Sequence, residues 1–134
     1  MVGLRYLLDT NILSDLIKNP HGKTYNKLQA LQSNEFATSV VMAAELRYGA
    51  LLKGSERLHL KVNQLFDTIT VLAFPENIDR HYAQVRAQLR KQGQSIGQND
   101  LWIAAHALAI EAVLVTDNVS EFQRVVGLRV ENWL

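Results

Sequence analysis

Residues 4–18 contain the arrangement that the rest of the chain repeats: Leu4-Arg5-Tyr6-Leu7-Leu8-Asp9-Thr10-Asn11-Ile12-Leu13-Ser14-Asp15-Leu16-Ile17-Lys18. Leu4 to Leu8 form a short apolar run, which is typical of a buried strand. Asn11 to Lys18 place four apolar side chains on one helical stripe, and the pair Asn19-Pro20 ends that helix. The segment therefore predicts a strand, an acidic residue at its carboxyl end and a helix.

The same alternation of short apolar strands and amphipathic helices continues along the chain. The pattern predicts further strands at residues 35–38, 70–73, 113–116 and 128–131. It predicts helices at residues 24–33, 40–52, 55–66, 75–93, 99–112 and 120–124. Strands that alternate with helices favour a parallel sheet covered on both faces. We expect an α/β fold in one domain over residues 1–134.

Composition excludes several classes of protein. The 134 residues include no cysteine, which excludes disulfides and thiolate zinc sites and makes the cytoplasm the expected location. No apolar run is long enough for a signal peptide or a membrane span. The four histidines lack metal-ligand spacing, and we interpret them as surface or helix-packing residues. Gly93 and Gly97 match no phosphate-binding loop.

Four acidic residues are candidates for a shared site. Asp9 and Asp117 each follow a predicted strand, and ligands of open α/β sheets bind beyond the carboxyl ends of strands. Asp100 lies at the start of a helix, where the dipole favours a negative charge. Glu45 lies among apolar residues, where an unpaired carboxylate would be costly. We therefore expect these acids to converge.

Grouped carboxylates suit a hard divalent cation such as Mg²⁺ or Mn²⁺. Such an ion can activate water and polarise a phosphoryl oxygen, so phosphodiester hydrolysis fits best. The net charge of the chain is +1, and without these four carboxylates the rest would carry +5. An acidic pocket with a basic surround is one that a polyanion can approach.

Each of these residues also has an ordinary structural interpretation. Asp9 can simply cap a helix, Asp100 can be a first-turn acid, and Asp117 can belong to a turn. Glu45 can be a helix-surface residue beside Arg47. Trp102 and Trp133 can be stacking platforms for bases, but their apolar neighbours favour core packing.

Five motifs in order resemble the PIN-domain family, specifically the VapC toxins of bacterial toxin–antitoxin pairs. They are Leu8-Asp9-Thr10-Asn11-Ile12-Leu13, Ala44-Glu45-Leu46-Arg47-Tyr48-Gly49, Ile96-Gly97-Gln98-Asn99-Asp100, Ile103-Ala104-Ala105-His106-Ala107 and Val115-Thr116-Asp117-Asn118. The resemblance implies a PIN-like three-layer fold, with a central parallel sheet of four to five short strands flanked by helices. It also implies a metal-dependent endoribonuclease that requires Mg²⁺ or Mn²⁺, a VapB-type antitoxin as partner, and a homodimer. By analogy the RNA is tRNA, at the anticodon stem-loop of the initiator.

Carried over by position, the resemblance assigns the main acidic places to Asp9, Glu45 and Asp100, with Asp9 and Asp100 as direct metal ligands. The fourth place stays open among Asp117, Asn118 and Glu121. Thr116, Asn118 and Asn11 are expected to support the site. A non-cleaving PIN domain that binds RNA or a partner is the alternative. A receiver domain or a haloacid-type phosphatase fits poorly, because Asp9-Thr10-Asn11 has neither the paired acids nor the Asp-x-Asp pattern that they need.

Overall fold

The structure is a computed structural model and describes residues 3–134. Five strands and seven helices alternate along this range. The strands are β1 (Tyr6–Leu8), β2 (Phe36–Ser39), β3 (Val71–Leu72), β4 (Val113–Val115) and β5 (Val130–Glu131). The helices are α1 (Thr10–Lys18), α2 (Lys23–Gln29), α3 (Val40–Lys53), α4 (Glu56–Thr68), α5 (Ile78–Lys91), α6 (Gln98–Ala109) and α7 (Val119–Phe122). The predicted order of elements is reproduced, and the predicted α/β class is confirmed.

The five strands form one sheet in the order β3-β2-β1-β4-β5, and every neighbouring pair is parallel. From β1 the chain moves outward to β2 and β3, and it then returns to the other side of β1 with β4 and β5. Strand order therefore reverses between β1 and β4. In an open α/β sheet this switch point leaves a crevice beyond the carboxyl ends of the two strands.

The core lies on both faces of β1, which explains its apolar sequence. Leu7 and Leu8 are completely buried although they point to opposite faces. A strand whose two faces are both covered has no polar positions, so it reads as a continuous apolar run. Trp133 is only 5% exposed and packs edge-on against Tyr6, so the prediction that it belongs to the core is confirmed.

The ends of helices α3 and α6 are explained by the residues that begin and end them. The Ser39 hydroxyl accepts a hydrogen bond from the Val41 N–H and begins α3, and Gly54 ends that helix with a φ of 64°. Helix α6 ends at Ala109 rather than at the predicted Ala112, because Glu111 adopts a φ of 55° and turns the chain into β4. Within residues 3–134, no helix has the length and apolar character needed to cross a bilayer.

Candidate active site at the switch point

Asp9 occupies the crevice between β1 and β4. Its carboxylate Oδ1 accepts the Thr10 N–H at 2.8 Å, and its Oδ2 accepts the Thr116 hydroxyl at 2.7 Å. The residue is therefore the N-cap of α1, as the structural interpretation expects, and it also bridges the two strand ends. Only 6% of Asp9 is exposed. Burial raises its pKa, and the charge of Asp117 adds to that rise, against the hydrogen bonds from Thr116 and Thr10.

Thr116 links Asp9 to the supporting residues. Its Oγ1 also accepts the Asn118 N–H at 3.1 Å and the Asn11 side-chain amide at 3.4 Å. The side-chain oxygen of Asn11, Oδ1, accepts a hydrogen bond from the Asp117 N–H at 3.2 Å. A threonine hydroxyl has one proton, and here it goes to the carboxylate. The structure thus brings Asn11, Thr116 and Asn118 together around Asp9.

Glu45 reaches the same crevice from α3. It is half-buried, and its pKa is raised first by burial and then by the negative charge of Asp9. The side chains of Asn99 and Thr10 face the Glu45 carboxylate and lower that pKa in part. Asn99 lies in one of the five motifs, but its contact with Glu45 could not be predicted from the sequence, because it joins two helices that are far apart in the chain.

Asp100 lies in the first turn of α6 and faces Glu121 of α7. Burial, the charges of Glu121, Asp9 and Glu45, and a hydrogen bond with Glu121 raise the pKa of Asp100 to about 7. Burial would also raise the pKa of Glu121, but hydrogen bonds from Asn118, the Gly97 N–H and Asp100 lower it overall. Asp100 therefore holds the proton that the two carboxyl groups share.

The three candidates for the fourth acidic place differ in their surroundings. Asp117 is exposed, and within residues 3–134 its side chain forms no hydrogen bond or ion pair, although its charge acts on Asp9. Asn118 contacts Glu121 through its side-chain amide. Glu121 is the residue in direct contact with Asp100. The spacing of Asn118 and Glu121 within one helical turn is the only sequence signal that could have favoured Glu121.

The donor set fits a hard divalent cation. The negative charges of neighbouring carboxylates help to raise the pKa values of Asp9, Glu45 and Asp100, and in the described range the one ion pair, between Arg5 and Glu35, lies elsewhere. The Thr10 hydroxyl beside them is buried and lacks a hydrogen-bond partner among residues 3–134. No group of three His, Asp or Glu side chains in that range is placed to hold an ion together. One or two direct carboxylates with water in the remaining positions is the usual arrangement for Mg²⁺.

A buried contact behind the cluster was not identified from the sequence. His106 of α6 is fully buried, and its Nδ1 is 2.9 Å from the hydroxyl of Ser39, which caps α3. The contact joins the helix of Asp100 to the helix of Glu45, so it fixes their separation. Burial lowers the pKa of His106 and keeps the ring neutral. The His106 side chain packs between α6 and the start of α3. Helix packing is one of the two roles that we expected for the histidines.

Fold and site together define a doubly wound α/β domain with a carboxylate cluster at the switch point of its sheet. The chain belongs to the PIN-domain family, whose model matches residues 6–128. The resemblance seen in the sequence motifs is thereby confirmed.

Similar proteins carry the VapC name. Ribonuclease VapC1 of Haemophilus influenzae is 41% identical over 132 residues, which cover 96% of this chain and 97% of that protein. The tRNA(fMet)-specific endonuclease VapC of Shigella flexneri is 37% identical and covers 97% of this chain and 98% of its own. A crystal structure of VapBC2 from Rickettsia felis, bound to a DNA fragment from their promoter, contains a chain with a TM-score of 0.91 and 36% identity, over 98% of this chain and 100% of that one.

Proposed function

We propose that this chain is a Mg²⁺- or Mn²⁺-dependent endoribonuclease and the toxin of a type II toxin–antitoxin pair. The observation that carries the proposal is the set of carboxylates that gathers where β1 and β4 part, with Asp9 buried and fixed by Thr116. Relatives named ribonuclease VapC, matched over nearly their whole length, support it. We propose one PIN domain over residues 1–134 and a cytoplasmic location, in keeping with the absence of cysteine.

In this proposal Asp9 and Asp100 would hold the ion directly, and Glu45 would complete the site either directly or through water. Glu121 takes the fourth place by its contact with Asp100, and Asp117 adds negative charge at the rim. Thr116 and Thr10 fix both oxygens of Asp9, so the carboxylate stays oriented without a bound substrate. Asn11 and Asn118 hold Thr116 in turn.

Proton movement follows from the Asp100–Glu121 pair. Without a cation the two carboxyl groups share a proton, and cation binding requires that this proton leave. The bound cation would supply Lewis-acid activation of the phosphodiester and a lowered pKa for water. Glu45, with a pKa raised by burial and by Asp9, is placed to accept the proton of an attacking water.

A cleavage assay on RNA, with Mg²⁺ or Mn²⁺ and with EDTA, tests the proposal. We expect cleavage with either metal and none in EDTA, and sequencing the 5′ and 3′ ends of the products would give the cleaved bond. RNA that binds tightly but stays intact with either metal would favour the alternative, a non-cleaving PIN domain.

For the substrate we propose tRNA, and the initiator anticodon stem-loop in particular. The support is the name of the Shigella flexneri relative, tRNA(fMet)-specific endonuclease VapC, at 37% identity. Initiator and elongator methionine tRNAs, incubated separately with the protein and Mg²⁺, form a matched pair of substrates. Equal cleavage of both would contradict the initiator preference and would leave the ribonuclease proposal intact.

For the partner we propose a VapB-type antitoxin that covers the apolar surface beside Glu45. A cavity of about 200 Å³ there lies between α1, α3 and α4, with Glu45 and Thr10 at its edge. Next to the cavity, three apolar side chains of α3 are exposed: Tyr48 by 65%, Leu51 by 69% and Leu52 by 73%. Adjacent exposed apolar side chains of this kind mark protein interaction sites. A segment on this surface would also close access to the carboxylates.

Co-purification with the cognate antitoxin tests the surface. Leu52→Ser should weaken the complex, whereas Val126→Ser, which removes an equally exposed apolar side chain, should not. Equal retention of the antitoxin by both variants would place the interface elsewhere. We also propose that the toxin is a homodimer, which analytical ultracentrifugation of the free protein would test.

A further inference from the structure

A cavity between α5 and the start of α6 contains two arginines. Its volume is about 170 Å³, and Arg86, Arg90, Ser95 and Gln98 supply its polar lining. That space is many times the roughly 10 to 15 Å³ that one water molecule needs on the same measure, so a phosphate group with its four oxygens can enter it. Arg86 and Arg90 are one turn apart on α5, so both guanidinium groups reach the same opening.

Among the residues that the structure describes, neither arginine has an acidic partner. The single ion pair within residues 3–134 joins Arg5 and Glu35, on another part of the surface. Helix α5 carries four basic residues against one acidic residue, a net charge of +3, whereas the whole chain carries only +1. Basic residues near the end of a helix are favourable by themselves, which accounts for Arg90 and Lys91. The favourable position at the end of the helix does not explain why two guanidinium groups without an acidic partner in the described range line one cavity.

Arg86 is held in place before any ligand arrives. Its Nη1 donates to the Tyr82 hydroxyl at 3.1 Å, and its guanidinium lies 6.0 Å from the centre of the Tyr82 ring. Tyr82 is stacked in turn on Trp102, with 3.9 Å between ring centres, and Gln98 donates to the same hydroxyl at 3.4 Å. A guanidinium restrained in this way loses less conformational entropy when it binds an oxyanion.

The cavity shares a wall with the carboxylate site. Ser95 and Gln98 line the cavity, and Gly97 between them donates its N–H to Glu121, the partner of Asp100. The chain from Ser95 to Asp100 spans at most about 17 Å. A nucleic-acid strand carries one phosphate for every nucleotide, so phosphates of one strand can lie at both places.

We propose that this cavity binds a backbone phosphate of the RNA substrate, one to a few nucleotides from the bond that is cleaved. Arg86 and Arg90 contact the phosphate oxygens, in the bidentate geometry that guanidinium groups favour. The contact positions the strand and carries no base preference. The inference rests on the proposed function, because it assumes that RNA is the substrate.

Binding of labelled, unfractionated tRNA tests the inference, with Asp9→Asn in every protein so that the RNA stays intact. Fluorescence anisotropy in Mg²⁺ would compare the cavity pair, Arg86→Gln with Arg90→Gln, against Arg80→Gln with Lys91→Gln. The second pair removes the same charge from the same helix, outside the cavity lining. We expect the cavity pair to weaken binding at least about 10-fold more than the control pair. Its slope of log K against log salt should fall by about 0.7 to 0.9, for one lost phosphate contact.

Two further readouts separate a binding role from general damage. The double variant Arg86→Lys with Arg90→Lys keeps both positive charges but loses the bidentate donors of the guanidinium groups. Its affinity for RNA should therefore lie between those of the parent and the cavity pair. With Asp9 restored, the cavity pair should raise KM and leave kcat nearly unchanged.

Equal losses in the cavity and control pairs would overturn the inference, since they would report surface charge alone. If the parent chain cleaves RNA in an EDTA-sensitive way and the cavity pair binds like the control, this inference fails and the proposed function stands. If the parent chain neither cleaves nor binds RNA, both fail.

Discussion

Replacing Asp100 by Asn should stabilise the protein in EDTA at about pH 8 while it destroys the site. Asp100 has a pKa of about 7 in the folded state, against its ordinary value of 3.8. The folded state therefore binds this proton more tightly than the unfolded state. The free energy of unfolding falls as the pH rises from about 4, and the loss is complete above about 7.

The size of the effect follows from that difference. At about 1.4 kcal/mol for each pH unit, the shift corresponds to about 4 kcal/mol. Asp100 is only half-buried, so solvent screening reduces the figure to about 2 kcal/mol. With a urea m-value of about 2 kcal/mol per molar, the unfolding midpoint of Asp100→Asn should rise by about 1 M. The gain should be about three times larger at pH 8 than at pH 5.

Urea unfolding in EDTA at the two pH values, followed by circular dichroism, measures the effect. Asp79→Asn is the matched control, because Asp79 is also a first-turn helix acid but is exposed and outside the cluster. It should change stability little at either pH. Mg²⁺ should then stabilise the parent protein and not Asp100→Asn. An Asp100→Asn protein that is no more stable than the parent at pH 8 would refute the reasoning, as would a gain that is equal at both pH values.

Three more results are expected. Asp9→Asn should reduce RNA cleavage by at least about 100-fold with an unchanged circular dichroism spectrum, whereas Asp15→Asn on the same helix should cleave normally. Thr116→Val, which removes the donor to Asp9, should weaken Mg²⁺ binding in calorimetry by about 10- to 100-fold, and Thr116→Ser should restore it; equal losses in both would exclude the hydrogen bond as the cause. Because burial lowers the pKa of His106, its contribution to stability is complete above about pH 6.5 and is lost as the pH falls towards the folded pKa. His106→Gln should flatten this decline, and urea midpoints that fall in parallel for parent and variant would contradict it.

Local patterns were sufficient to predict the elements of this fold. Strand β1 is apolar because both of its faces are covered, and α3 begins where Ser39 can cap it. The end of α6 was misplaced because Ile110 and Ala112 continue an apolar pattern through the turn. Nothing in that pattern reveals that Glu111 has a positive φ.

The site was predictable only where topology determines it. A residue that follows a central parallel strand must lie at the carboxyl edge, which is why the position of Asp9 in the sheet could be predicted. Asp117 also follows a strand, but its N–H bonds to Asn11 and its side chain is exposed. Glu121 meets Asp100 only through a side-chain contact between α7 and α6, and no periodic pattern in the sequence predicts such a contact. Side-chain direction in a turn and contacts between distant helices both need three-dimensional coordinates.

The hydrogen bond between Thr116 and Asp9 joins residues that are 107 positions apart. During translation Asp9 emerges 107 residues before Thr116, the residue that follows β4. A nascent chain that stops short of residue 116 lacks the hydroxyl that orients Asp9, and it lacks Glu121 as well. Contacts of such long range also close late and slowly in folding. Copies that terminate before residue 116 therefore cannot hold Asp9 in the orientation that the complete fold gives it.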